Sequence, residues 1–271
     1  MRSLFVRILL PALASILATV PALAQQAPCG GDFGSWLRGV EQEAAAQGVS
    51  ERTIQSALGG ITFDPAIIAR DHAQGVFRQS FAQFSGRMVP PRLARARRLL
   101  AQYHPLFDRI EQQFGVPGPI LVAIWGLETD FGADDGNFPT IRALATLAYD
   151  CRRADKFRAE LLDALQIVNR GDMNAAQMHG AWAGEIGQTQ FLPSSYLKFA
   201  VDYTGNGRRD LIHSVPDVLA STANYLKSYG WQREQPWGEG TANFQVLQQW
   251  NSSEVYTKTV AYFAEQLAQS Q

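Results

Sequence analysis

The 271-residue sequence predicts a mainly α fold with little β structure. Residues 91–114 carry an amphipathic pattern, with Leu93, Leu99, Leu100, Tyr103, Leu106, Phe107 and Ile110 apolar and arginines on the other face. Several further segments open on a capping residue and close on glycine. The apolar run at 120–127 follows two prolines, contains Ala123 and lacks strand-type alternation, so it reads as a buried helix.

Taken from the N-terminus, Arg2 and Arg7 form a basic region ahead of a short apolar stretch at 8–20, and Ala22-Leu23-Ala24 supplies a small-x-small cleavage pattern. Residues 1–24 therefore read as a cleavable signal peptide and 25–271 as the mature chain. The alternatives are a membrane anchor, for which the run is too short, and a lipoprotein on Cys29, for which Gln26-Ala27-Pro28 is a poor context. Loss of Arg2 and Arg7 leaves 22 basic against 25 acidic side chains, a net charge of −3. Nucleic-acid binders carry a basic excess, so that partner class is excluded. Cys29 and Cys151, the two cysteines, read as a disulfide in an oxidising compartment, the alternative being two unpaired thiols.

The helix pattern continues through 35–47, with Ser35 as N-cap, and through a short segment from Ser50 that stops at Gly59-Gly60. After the pair at 91–114 and 120–127, helices are expected at 152–170, 194–201 (capped by Ser194), 216–229 and 253–269. The stretch 231–240 reads as a surface loop. The chain is long enough for one large domain or a domain with a smaller lobe. Nothing in it demands an oligomer, so a monomer is expected.

Two segments carry chemistry. In WGLETDFG, residues 125–132, Glu128 stands where the apolar run meets a Gly/Asp-rich loop. A carboxyl group against apolar surface has its charged form disfavoured and can hold a proton near neutral pH, as a general acid must. The competing reading is a solvated glutamate just past a buried helix. In GAWAGEIGQTQFLPSSY, residues 180–196, three glycines would allow close backbone approach to a ligand. Gln188 and Gln190 offer hydrogen bonds to a sugar, and Trp182 and Phe191 offer flat faces; the alternative is a Gly-rich turn ahead of a helix.

Together these stretches resemble the lytic murein transglycosylase B family, glycoside hydrolase family 103. The resemblance rests on Glu128-Thr129-Asp130-Phe131-Gly132, on Thr189 to Ser195, on the Asp202 to Gly207 loop with Ala223-Asn224-Tyr225, and on Trp250-Asn251-Ser252-Ser253 with Tyr256. It runs in register from about Asp32 to Leu267. It implies a lysozyme-like helical catalytic domain over 25–271, with a cleft for peptidoglycan glycan strands; the leader read at 1–24 adds export to the periplasm without a stable membrane anchor. Glu128 would protonate the β-1,4 glycosidic oxygen between N-acetylmuramic acid and N-acetylglucosamine, then accept the proton of the muramoyl C6 hydroxyl. The product would be a 1,6-anhydro end, with no cofactor for catalysis. Glycosidases ordinarily use two carboxylates, whereas this family manages with one; Asp130, Asp134 and Asp135 read as loop residues.

By matching position, Gln190 would contact the N-acetyl group, Phe191, Asn251, Tyr256 and Tyr225 would line the site, and Arg152 and Arg153 would meet lactyl or peptide carboxylates. Ala181 replaces a serine of the family pattern. Glu185 stands where a small residue is common and reads as a rim charge or, alternatively, a modifier of Glu128. The segment 202–213 resembles the start of an EF-hand, with Asp202, Thr204, Asn206 and Asp210 as oxygen donors and Gly207 at the turn. Its twelfth position is His213, so Asp217 would have to close a structural Ca2+ site. Competing functions are a muramidase that uses water on the same cleft and a non-catalytic wall-binding protein.

Overall fold

A computed structural model describes residues 29–73 and 79–269. The signal peptide expected at 1–24 lies outside the described residues. Among the described residues thirteen α-helices dominate: α1 (Phe33–Ala46), α2 (Glu51–Leu58), α3 (Pro65–His72), α4 (Phe81–Met88), α5 (Pro90–Gln102), α6 (His104–Phe114), α7 (Gly118–Thr129), α8 (Thr140–Tyr149), α9 (Ala154–Arg170), α10 (Pro193–Phe199), α11 (Val215–Ser228), α12 (Ala242–Trp250) and α13 (Glu254–Ala268). The sheet is a two-stranded antiparallel ribbon of β1 (Phe138–Pro139) and β2 (His179–Gly180), in register Phe138 with Gly180. No helix among the described residues is long and apolar enough to cross a membrane.

α7 is the axis of the molecule. Every one of its residues except Glu128 is buried, which is why its sequence shows no amphipathic period. α4, α5 and α12 pack with α13, and α5, α6, α11 and α13 surround α7. α8 and α9 form the second large helix pair, with α1, α2 and α3 against it. The wall around α7 is apolar, from Phe107 and Ile110 through Val218 and Phe263.

Several expected boundaries are corrected. The single helix expected at 91–114 is two, because Pro105 has no N–H to continue the ladder and its ring crowds the preceding turn. Ser35 is inside α1 and not its cap; Asp32 takes that role, accepting the Ser35 N–H at 2.8 Å. Ser194 likewise lies within the first turn of α10, where its N–H and hydroxyl donate to Glu160 of α9 at 2.9 and 2.8 Å. A carboxylate from another helix thus serves as the cap, favoured by the helix dipole.

Four helices, α3, α4, α8 and α12, were not expected. α8 buries eight of its ten residues, so no polar face marks its period, and α3 and α4 are eight residues each, too short for a repeat to show. The segment 231–240 is the expected loop, joining α11 to α12.

The cysteines form the disulfide Cys29–Cys151, across a sequence separation of 122. It ties the segment ahead of α1 to the turn between α8 and α9. Beside it Phe33, Trp36, Phe63 and Tyr149 pack mostly edge to face, with centroids 5.2 to 6.2 Å apart.

Candidate active site

The site is built where α7 ends. Asp130 and Phe131 both take left-handed backbone, at φ 51° and 61°, a conformation that disfavours side-chain-bearing residues. Two anchors hold it. Asp130 pairs with Arg92 at 3.4 Å and Arg95 at 3.7 Å, and Phe131 folds back edge-on to Trp125 with ring centroids 5.7 Å apart. Gly126 is required beneath that ring, since a Cβ there would lie 2.7 Å from it. The chain therefore turns away sharply, leaving Glu128 in the last turn of α7 facing a cavity of about 460 Å³.

Glu128 is held by two donors from the C-terminal helices. Its Oε1 accepts the Tyr256 hydroxyl at 2.6 Å and the Trp250 indole N–H at 2.9 Å. Trp250 is the last residue of α12, and Tyr256 sits in the first turn of α13, whose N-terminus Ser253 caps. Burial pushes the Glu128 carboxyl up to about 7; the Tyr256 and Trp250 hydrogen bonds oppose this, and the charge of Glu185 adds to it. Burial and the adjacent carboxylate hold the Tyr256 phenol well above its ordinary range, so it acts as a donor.

The other expected site residues are placed unevenly. Gln190, Phe191, Tyr225, Asn251 and Arg153 line the cavity with Glu128, as do Trp182, Lys156, Glu185, Ser195, Gln249 and Trp250. Gln190 is already engaged: its Oε1 accepts the Ala181 N–H at 3.0 Å, and its Nε2 donates to the carbonyls of Asp135 and Gly187 at 3.0 and 2.7 Å. Phe191 is buried, with Tyr225 and Trp250 against it edge-on, so it is floor rather than a stacking face. Tyr225 donates its hydroxyl to Gln249 O at 2.7 Å. Asn251 Oδ1 accepts the Ser253 N–H at 2.9 Å. Arg152 and Arg153 both pair with the buried Asp71, and Arg152 is not among the lining residues.

Three expectations are corrected. Gln188 does not offer itself to a ligand, because its Oε1 accepts the Trp125 indole at 2.9 Å and its Nε2 donates to Ile212 O at 2.7 Å. The glycines of 180–187 admit protein rather than ligand. A Cβ on Gly180 would sit 1.8 Å from Glu185 O, and one on Gly187, whose φ is +73°, would sit 2.2 Å from Leu211 O. Glu185 is not a rim charge but a wall residue of the cavity. The direct contact from Trp250 to Glu128 was also missed. The aromatic next to Asn251 was visible, but nothing local says that its indole N–H meets residue 128.

Comparison with known proteins identifies relatives of the chain and of its fold. The Transglycosylase SLT domain family matches residues 32–242. The chain belongs to that family. Membrane-bound lytic murein transglycosylase B of Escherichia coli strain K12 is 40% identical over 131 residues, 48% of this chain and 36% of the relative, so the match spans about a third of that relative's length. Among solved structures, SltB3 from Pseudomonas aeruginosa in complex with NAG-anhNAM-pentapeptide superposes with a TM-score of 0.83 at 31% identity, covering 88% of this chain and 80% of that one. The same protein with NAG-NAM-pentapeptide gives 0.84 with the same coverage and identity. The Escherichia coli lytic transglycosylase Slt35 in complex with calcium shares the fold, with a TM-score of 0.79 at 24% identity over 91% of this chain and 98% of that one. The expected mainly α, lysozyme-like fold is borne out.

The loop from Asp202 to Asp217 in this transglycosylase-family chain is closed by its own amides. Asp202 accepts N–H groups of Asn206 and Gly207 at 3.1 and 2.7 Å. Asp217 is fully buried, and its oxygens accept the N–H of Tyr203, Thr204 and Asp210 at 2.9, 3.1 and 3.1 Å. Asp210 accepts the N–H of Ile212 and His213. The donors are all oxygen, which suits Ca2+, but the carboxylates point at backbone and do not converge as a ligand cluster among the described residues.

Proposed function

We propose that the chain is a peptidoglycan lytic transglycosylase that cleaves the β-1,4 bond between N-acetylmuramic acid and N-acetylglucosamine. The observation that carries this reading is one carboxyl, Glu128, raised to about 7, at the cavity end of an otherwise buried helix and gripped by Tyr256 and Trp250. In its neutral form it donates its proton to the glycosidic oxygen as that bond breaks. As carboxylate it then takes the proton of the muramoyl C6 hydroxyl, whose oxygen attacks the anomeric carbon and closes a 1,6-anhydro ring. The proton balance is zero and no water is consumed. Tyr256 and Trp250 stabilise the charged interval and fix the carboxyl's orientation.

Gln190, Asn251 and Tyr225 order the cavity wall on the sugar side, with Gln190 retaining one acceptor position on Oε1. Arg153 offers positive charge to lactyl or peptide carboxylates, and Arg152 supports it through Asp71. The anhydro sugar bound by the Pseudomonas aeruginosa relative supports an anhydro product here. A cleavable leader at 1–24 and action on the periplasmic wall as a monomer complete the proposal.

Digestion of purified sacculi followed by mass spectrometry tests it. Muropeptides with 1,6-anhydromuramic ends are expected, and reducing muramic ends alone would instead mark a muramidase. Tyr256→Phe removes one donor to the charged form of Glu128. Its rate should fall by roughly tenfold, about what losing one hydrogen bond to a charged group costs. A rate within twofold of the parent would show that the phenol is not used.

We further propose that catalysis needs no cofactor and that the 202–217 loop takes at most a weakly held Ca2+ through Asp202, Thr204 and Asn206. Calcium at millimolar concentration against a chelator should then move the melting temperature by only about 1–3 °C, following mass action. A shift far beyond that would mean a tight site in which Asp217 has turned to the ion.

A further inference from the structure

The loop between β2 and α10 brings into the cleft a carboxylate that the reaction above does not use. Glu185 lines the same cavity as Glu128. Its backbone is fixed, because its carbonyl accepts the Thr140 hydroxyl at 3.2 Å and packs where any side chain on Gly180 would collide. Its Oε2 accepts the Ala183 N–H at 3.0 Å. Arg153 and Lys156, at the start of α9, are the cations of the cavity wall, and both favour the ionised form of Glu185.

Glu128 is treated differently by its neighbours. From α12 and α13 it meets two neutral donors, Trp250 and Tyr256, and it has no ion pair among the described residues. Asp130, which caps the C-terminus of its helix, is committed to Arg92 and Arg95 of α5. The charged groups around it are thus Glu185 from the β2–α10 loop and, beyond that, Arg153 and Lys156.

We propose that Glu185 is a positioning residue for the acid step, a carboxylate that stays ionised in the cleft and by its charge holds the proton on Glu128. Two carboxyls in one cavity release their protons in sequence, and the one with better compensation goes first. Here Glu185 has an amide N–H and two cations, so it ionises first. Burial raises both groups, and the negative charge on Glu185 then raises Glu128 further. The chain in this way keeps its single acid protonated close to neutral pH. The inference rests on Glu128 being the acid.

The test is Glu185→Gln with Glu185→Asp as the conservative control, each confirmed to fold by circular dichroism melting. Removing the charge makes ionised Glu128 less unfavourable. The alkaline limb of the sacculus-digestion pH profile should move down by roughly half a unit to one unit, the range of a nearby like charge. On that limb activity falls about three- to tenfold at fixed pH, while the rate at the acidic side of the optimum is kept. The carboxyl carbon of Glu128, assigned by its loss in Glu128→Gln, should show the same downward shift in a ¹³C NMR titration. Glu185→Asp should restore both.

An unmoved limb and an unmoved titration would overturn the proposal, as would a uniform loss of rate across pH, which is the mark of a purely structural role. Should Glu128→Gln remain active, the assignment of the acid fails instead. The NMR midpoint in Glu185→Gln still reads the coupling in that case.

Discussion

Glu128→Gln is expected to lose sacculus-degrading activity by roughly a thousandfold, within the range that a positioned general acid–base group contributes, while becoming more stable at alkaline pH. Glutamine keeps the Oε1 acceptor for Tyr256 and Trp250 but has no proton to deliver and no carboxylate to take one back. Stability moves the other way because of linkage. The carboxyl lies at about 7 in the folded chain against an ordinary 4.5. Between those values the folded state holds a proton that the unfolded state has released, so stability declines as pH rises from about 4.5 to about 7 and stays low above. The neutral amide escapes that loss, gaining about 1–3 kcal/mol at pH 8 and nothing at pH 4. Sacculus digestion and calorimetry at the two pH values check both halves. A gain of equal size at both would mean that it comes from packing and not from ionisation.

Reduction of Cys29–Cys151, or replacement of both cysteines by serine, is expected to cost about 3–5 kcal/mol, because the bond closes a loop of more than a hundred residues in the unfolded chain. For a domain of this size that corresponds to a fall of about 10 °C in melting temperature. The loss should begin locally. Without the bond, the segment ahead of α1 is held to α8 by Gly30 N–H to Tyr149 O at 3.0 Å and by the Phe33–Trp36–Phe63–Tyr149 ring cluster. Amide exchange should therefore rise first in α1. Cleavage of sacculi at low temperature should persist, since Glu128, Tyr256 and Trp250 stand on α7, α13 and α12. A melting temperature unchanged within about 2 °C would mean that the cross-link constrains the unfolded chain far less than loop entropy requires.

The two halves of the site differ in how far they could be read beforehand. Glu128 was legible as a candidate from a local signal, an apolar run, then a carboxyl, then a loop, and the family motifs elsewhere in the chain set it above the reading as a solvated glutamate. The Gln190 and Asn251 segments were legible as motifs, but what those side chains do was not. The glutamines in the 180–196 stretch look alike in sequence, yet Gln188 bonds Trp125 and Ile212 while Gln190 spans Ala181, Asp135 and Gly187 at the cavity wall. Glu185 is the sharper case. Its one-dimensional context is a glycine turn, which suits a solvated charge, and only the ribbon pairing β1 with β2 brings that turn against the cavity.

The sequence alone determined the helical class and singled out Glu128 as the candidate acid and Cys29 with Cys151 as a candidate disulfide, because each depends on chain neighbours, on a family motif or on a count of two. Tertiary structure decided which groups touch Glu128. Tyr256 and Trp250 lie 128 and 122 residues from Glu128, and Arg92 and Arg95 hold the reversed turn after it from a different helix. The value of about 7 follows from those placements and from burial, since desolvation depends on everything packed around a group and not on its chain neighbours. The sequence thus singled out Glu128, and only packing raised its carboxyl.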